Sequence, residues 1–470
     1  MSARANKPPK KANAIKGYIS SPDLVLFAFA TTFFSRLVDS AGAPSVINFA
    51  HFAAVPFACG VVLLRSKSKD RHQIAISWQL IAGMAVLLGV MFASAILNNA
   101  GVINVVMSFL LLGEPFVFLL AVISIPMSPA SLEKLKTWVI RFCFFHTLLA
   151  FVQRYVLNLH RLHGLADNIQ GVFYRSGAGH VVGASVAMTF GLYYLVTAKT
   201  APLWFRIVVF LATFWHMLLA DAKQVLLSFL AGWLLLLVTK IQDIGKALQY
   251  IIAAAVLGAI LAWCIENVEA FGAFKTWMRP EIYGPEGEAT LLKTATFRIV
   301  PQYYDSFLHP WLGLGPGHTV GRLGGWMLSI YSNLLGPLGS TRHPASREVW
   351  RAVGRSWLGD QSSMFSPLFG WAGIWGDLGF LGLAAYLYLA YVTWSKLSPG
   401  DLCRFLLLSV FVTGLIFSQM EEPGYMLFIA LIIGLRWQEE RAKRKQERDR
   451  QASWLYENLV RSPPPSSGSG

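Results

Sequence analysis

Stretches of about twenty consecutive apolar residues recur along this chain, and that is the length a helix needs to cross the hydrocarbon of a bilayer. They fall at about 23–38, 45–64, 74–96, 102–125, 137–156, 180–198, 203–220, 224–239, 247–265, 376–394, 402–419 and 424–436. The expected fold class is all-α: a polytopic membrane protein of roughly twelve transmembrane helices. Composition agrees. Of 470 residues, 55% are hydrophobic and only 14% charged, too few charges for the surface of a soluble chain of this length.

Between the ninth and tenth runs lies a segment, 266–366, too polar and too broken by Gly and Pro to span. An even number of crossings puts both termini on one side. The basic N-terminal tail, "RSKSKDRH" at 65–72, "EKLK" at 133–136, "KTAPLWFR" at 199–206, "KIQDIGK" at 240–246 and "RAKRKQERDR" at 441–450 then share that side. The short opposite loops at 97–101 and 420–424 carry no Lys or Arg. Cytoplasmic loops are the ones enriched in Lys and Arg, so both termini are expected in the cytoplasm and 266–366 outside. The net charge of +15 is thereby a matter of topology, and no nucleic-acid partner is expected. The organisation reads as a basic tail 1–20, helices one to nine over 21–265, a large exterior loop 266–366, helices ten to twelve over 367–437 and a second tail 438–470. That tail ends in "RSPPPSSGSG", flexible by composition. No internal repeat and no cleavable signal peptide is evident. Cys59, Cys143, Cys264 and Cys403 lie singly in apolar runs, so neither a disulfide nor a metal site is expected.

A charge inside a bilayer is costly enough to need an explanation. Arg36 and Asp39 close the first run and are expected to pair across one helical turn. Glu114, followed by Pro115, either neutralises an arginine inside the bundle or belongs to a polar cavity. His146 and His216 read as core histidines. Two exterior connections are more pointed. One, 153–180, carries Arg154, His160, Arg161, His163, Arg175 and His180; the other, "LLADAKQVLL", carries Asp221 and Lys223. Cations placed against the topology rule are held either for an anionic ligand or by local carboxylates such as Asp167 and Asp221.

In the exterior segment the cation changes kind. Between Lys293 and Lys396 every cation is arginine: Arg298, Arg322, Arg342, Arg347, Arg351 and Arg355. A guanidinium fork binds phosphate through two parallel donors, so this stretch favours phosphate or diphosphate recognition. "SREVWRAVGRSW" predicts an amphipathic helix, with Ser346 capping its start, Glu348 at its positive end and Arg347, Arg351 and Arg355 in one stripe. It is expected to lie on the membrane with its tryptophans at headgroup level, either as an anchor or as a clamp over a lipid-linked phosphate. "HPWLGLGPGH" lacks the features of a dinucleotide or P-loop fingerprint. Its Gly313, Gly315 and Gly317, around Pro316, permit unusual backbone angles and close approach.

With its flanks the stretch is more specific. "TATFRIVPQYYDSFLHPWLGLGPG", followed by "PLFGWAGIWGDLGFLGLAAYLYL", resembles the O-antigen ligase and O-antigen polymerase superfamily of bacterial envelope enzymes. Arg298, the run Pro310–Gly317 and Asp377 with its following glycines carry the resemblance. It implies a GT-C-like glycosyltransferase of the bacterial inner membrane, working at the periplasmic face. The donor would be a glycan on undecaprenyl diphosphate, with membrane lipids and other polysaccharide-assembly proteins as partners and no cofactor. The family's ligases carry a His-Asn shortly before the acidic-Gly element; here that region reads "DQSSMFSPLFG". This departure moves the expectation from ligase to polymerase.

The expected division of labour follows from the chemistry. Diphosphate is already a good leaving group, so the protein must bind its developing charge, align the acceptor hydroxyl and remove a proton. Arg298, Arg175 and Lys223 are assigned to the diphosphate, supported by Arg154, Arg347 and Arg351. His318 or Asp360 is the expected base, with His309 and His343 equally open on chemistry alone and His309, beside Pro310 and Trp311, the more structural of them. The alternatives are a ligase transferring glycan to lipid A–core, and a flippase or exporter of lipid-linked sugars. A transporter leaves the arginine-rich exterior segment without a role and usually shows repeat symmetry.

Overall fold

The protein is described here by a computed structural model covering residues 19–461, apart from 67, 69, 165, 176–177, 241–243, 278 and 360–362. Among the described residues it is all-helical, with no strand. The helices named below are α1 Ser21–Phe33, α2 Ala50–Arg65, α3 Arg71–Leu97, α4 Val102–Ser124, α5 Pro129–Phe151, α6 Gly179–Thr197, α7 Leu203–Leu219, α8 Lys223–Val238 and α9 Ile244–Asn267. After these come α10 Glu288–Ile299, α11 Pro344–Arg355, α12 Gly370–Val392, α13 Gly400–Ile416 and α14 Pro423–Arg461. Every apolar run of the sequence is therefore a helix. Seven helices among the described residues are long and apolar enough to cross a membrane, and α1, α7 and α8 are shorter apolar helices.

Helix starts follow local chemistry. Asp70 accepts from the N–H groups of His72 and Gln73 at the head of α3 (3.1 and 3.4 Å). Ser128 accepts from Ser131 N–H (3.1 Å) at the head of α5, with Pro129 at its first position, where a missing N–H costs nothing. The C-terminal carbonyls of α4, which no helical bond can satisfy, are met by side chains. Gln73 donates to Ile123 O (2.6 Å), and Gln438 of α14 donates to the carbonyls of Val122, Ile123 and Ile125 (2.9, 3.3 and 3.0 Å).

The core runs along α4, α6 and the first part of α14, whose residues Tyr425–Leu435 are almost all buried. This explains the span 424–436 being short: it is a helix surrounded by protein. Within lipid, helices associate by close packing more than by hydrophobicity, and small residues mark their crossings. Gly434 of α14 lies where a Cβ would come within 2.5 Å of Val122 Cγ1, and Gly232 of α8 where one would meet the Ser409 backbone of α13 at 3.0 Å.

Past Leu435 the described part of the second tail is helical. α14 continues as one helix to Arg461, because "QEERAKRKQERDRQ" combines strong helix formers with i,i+4 charge pairs such as Glu440–Arg444 (3.5 Å). Four of the basic connections expected to share a side meet at one end of the bundle. Residues of 70–71, 126–136, 196–199 and 436–449 surround one basin there. The 266–366 segment packs on the opposite end, against the C-terminus of α3 and the N-termini of α4 and α12.

Several expectations are corrected. Arg36 and Asp39 do not pair: Arg36 Nη1 donates to Tyr331 OH (3.4 Å), and Asp39 accepts from Asn48 Nδ2 (2.7 Å). Glu114 is met by a histidine, His51 Nδ1 (2.8 Å), both side chains being buried. His146 and His216 are core residues as expected; the His146 ring spans Val172 N–H and Gly183 O (3.2 and 2.9 Å), with the His216 ring tilted against it at 5.1 Å.

Candidate functional site

The two sequence elements that carry the resemblance, 310–317 and 377–382, meet in space. Gly313, Gly315 and Gly317 have φ of +71°, +107° and +71°, a region L side chains rarely adopt. This winding lets Leu314 N–H donate to Gly376 O (2.9 Å) and Gly315 N–H to Asp377 O (3.0 Å). A Cβ on Gly313 would lie 2.5 Å from Asp377 O, so backbone touches backbone there. The Asp377 carboxylate then accepts from Gly317 N–H (2.7 Å), Thr319 N–H (2.8 Å) and Thr319 Oγ1 (2.6 Å). Gly379, with φ +63° and ψ −162°, breaks α12 just after the aspartate and so frees room for the loop.

Side chains at the ends of α3 and α4 hold the other edge. Ser94 Oγ donates to Asp377 O (2.9 Å), Asn98 Nδ2 to Gly313 O (3.0 Å), and Asn104 Nδ2 to Pro316 O and Thr341 O (2.9 and 3.0 Å). Asn104 Oδ1 accepts in turn from Thr341 N–H (3.0 Å). Sequence reasoning passed over these asparagines, although three amides in "NNAGVIN" beside apolar runs were a visible signal.

The braced loop delivers Arg322 to a buried position. Its guanidinium, 6% exposed, pairs with Glu422 and lies 5.0 Å over the Trp326 ring. The backbone N–H of Arg322 donates to Glu421 Oε2 (2.7 Å). Burial, with the charge of Arg36 nearby, lowers Arg322 to about 9, so it stays a cation at neutral pH. Burial, with Asp377 nearby, raises the Glu421 carboxyl to about 8. Glu422 keeps 13% of its side chain exposed. Tyr331 hydrogen-bonds Arg36 and also acts on Arg322. Arg36, Arg322, Tyr331, Glu421 and Glu422 thus form one charged cluster, drawn from three distant parts of the chain. Arg322 had been read only as one of the exterior arginines, and the acidic turn "EEP" only as lacking basic residues.

On the other face of α12 lies an apolar groove of about 660 Å³, lined by Phe297, Phe369, Trp371, Trp375 and Phe380. Its one lining cation, Lys293, donates to Ile416 O (2.8 Å) and lies 5.1 Å over the Phe369 ring. Burial pulls this amine down to about 7. The first turns of α12 divide the groove from the cluster: Trp371 and Trp375 face the groove, and Gly373 packs on Gly321 and Glu421.

The expected site residues are dispersed around this centre. His318, expected as a base, has both ring nitrogens engaged, at Leu314 O and Thr341 Oγ1 (2.8 Å each). It is 3% exposed, and burial holds it down to about 4. It is placed as a brace. Asp360, the other expected base, lies outside the described residues. Arg298 is exposed and donates back to Leu291 O of its own helix (2.5 Å). Lys223 is paired with Asp221, and Asp167 approaches His180 (3.9 Å), so local carboxylates do meet these cations. Arg154 sits in the wider turn Val152–Val156 that ends α5, and Arg175 is exposed, 5.9 Å over the Tyr174 ring.

α11 is amphipathic as expected, with Arg347, Arg351 and Arg355 all exposed. Its apolar face, however, packs on protein: Val349 against Val320 and Phe369, Val353 against Leu292 and Phe365. The helix is capped by His343, which accepts from Ala345 N–H (3.1 Å), and not by Ser346, which is drawn in to Gly324 O (2.9 Å). Glu348 is held by the Tyr303 hydroxyl. Comparison of the chain with models of protein families and with curated proteins finds no match.

Proposed function

We propose that this chain is a glycosyltransferase that polymerises glycan units carried on a lipid diphosphate, undecaprenyl diphosphate by the resemblance of its motifs. We read it as crossing a bacterial plasma membrane twelve times in a GT-C-like arrangement. Both termini are cytoplasmic, and the 266–366 segment works at the exterior face. The observation that carries the reading is the charged cluster. Two arginines and two adjacent glutamates are concentrated at the end of an apolar bundle, positioned by a loop whose only evident task is to be rigid.

Such an arrangement suits the reaction. Arg322 and Arg36 receive the diphosphate, each charge-assisted hydrogen bond contributing about 1.5–3 kcal/mol. A diphosphate on Arg322 releases Glu422 from its ion pair. The freed carboxylate accepts the proton of the acceptor hydroxyl as that oxygen bonds the anomeric carbon. The bond from that carbon to the diphosphate oxygen breaks, and the lipid diphosphate departs with the electron pair. Placing the groove beside Lys293 at the lipid tail of one substrate accords with its aromatic lining.

The test is reconstitution in liposomes with lipid-linked oligosaccharide on the exterior leaflet. Chain extension that is lost in Arg322→Gln supports the proposal. Transfer to lipid A–core without extension converts it to a ligase. Movement of the lipid across the bilayer with no new glycosidic bond refutes it.

A further inference from the structure

The end of the bundle remote from the Gly-Pro-Gly loop carries a second concave site. A basin of about 1390 Å³ is enclosed by the heads of α3 and α5, the turn between α6 and α7, and the outer part of α14. Eight cations and four carboxylates line it. Three of those carboxylates are already engaged. Asp70 caps α3 and meets Arg441 (3.2 Å), Glu133 meets Lys136 (2.8 Å), and Glu439 is shared by Lys136 (2.7 Å) and Arg436. Left facing the basin are Arg71, Lys199, Lys443, Lys445 and Arg448. The heads of α3 and α5 add the positive ends of two helix dipoles. A cavity of this size, with an excess of four positive charges, is built for a polyanion far larger than one phosphate ion.

The surroundings narrow the chemistry. Val196 lines the basin while 42% exposed, and Trp204 and Trp138 nearby along the same helices are 66% and 38% exposed. Indoles of this kind favour the headgroup level of a bilayer, which puts the basin where phosphodiesters are densest.

We infer that this basin binds clustered phosphate, its natural source being the headgroups of acidic phospholipid in the adjacent leaflet. The claim is independent of what the opposite end does. The lysines and arginine of the α14 arm supply one side of the site, and Arg71 with Lys199 the other.

The test uses the full-length protein in a neutral detergent, with thermal unfolding read during titration by short-chain phosphatidylglycerol, short-chain phosphatidylcholine or inorganic tripolyphosphate. Phosphatidylglycerol is expected to raise the melting temperature saturably while phosphatidylcholine does not. Tripolyphosphate acting as strongly as the lipid would keep the phosphate site and move its source to solution. The variant Lys443→Glu/Lys445→Glu/Arg448→Glu should bind on the order of a hundredfold more weakly, since each cation at a membrane surface contributes appreciably. Its three positions are exposed, so its melting temperature without ligand should match the wild type. Arg71→Gln provides a second variant on a different helix, expected to weaken binding less. Equal stabilisation by both phospholipids, or undiminished binding by both variants, overturns the inference.

Discussion

Replacing Asp377 by alanine tests how the loop is held. The substitution removes the acceptor for Gly317 N–H, Thr319 N–H and Thr319 Oγ1. Asp377 is 6% exposed, so water does not readily take its place. A buried donor left unpaired costs about 1–3 kcal/mol. Two orphaned amides and one hydroxyl that can turn elsewhere give a loss of about 4 kcal/mol, a large part of the 5–15 kcal/mol that ordinarily separates folded from unfolded. Asp377→Asn keeps one acceptor oxygen but turns an NH₂ toward an amide, so about half that loss is expected. The assay is thermal unfolding of the purified protein, with tryptic cleavage after Arg322 as a local probe. Alanine should lower the melting temperature and open Arg322 to trypsin, with asparagine between. An alanine variant that melts like the wild type and still hides Arg322 would show that the carboxylate is not what fastens the loop.

Three other outcomes are expected. Arg322→Gln leaves Glu422 without its partner and should destabilise by about 3–5 kcal/mol; the double variant with Glu422→Gln should recover part of this, and strict additivity would exclude their coupling. His318 titrates near 4 when folded against 6.5 unfolded, so its contribution of about 3 kcal/mol is complete above pH 6.5 and is lost as pH falls toward 4. Acid unfolding of His318→Gln should be correspondingly shallower, and identical curves would refute the assignment. Lys293, lowered to about 7, should react with amine reagents along a pH profile centred there. Mass spectrometry showing the profile of an ordinary lysine, near 10.4, would contradict its burial.

The helices were legible because an apolar run of bilayer length has few other fates. Each of the twelve runs is helical, although several helices reach well beyond their runs, α5 back to Pro129, α12 back to Gly370 and α14 on to Arg461. The partners of individual charges were not legible. Arg36 had an acidic neighbour at helical spacing, yet its hydrogen bond goes to Tyr331, nearly three hundred residues away. α11 looked like a membrane-surface helix because an amphipathic pattern states that one face is covered and says nothing of what covers it; Val349 and Val353 are covered by protein. The motif around Gly313–Gly317 was recognised, but its chemistry was sought in the histidine beside it. Burial made His318 a brace. The groups we propose to act, Arg322 and Glu422 beside Glu421, are joined only by the folding of the loop onto the bundle.

α14 begins at the turn that carries Glu421 and Glu422 and runs unbroken to the basin at the far end. At 1.5 Å per residue its path from Pro423 to Gln438 spans about 22 Å. The phase of that rod is therefore shared property. Inserting one residue would swing everything beyond it by about 100°, taking Gln438 off the carbonyls of α4 and Glu439 away from Lys136. A side chain replaced at either extremity costs only what it touches there, whereas a change in the length of what joins the two would be felt at both.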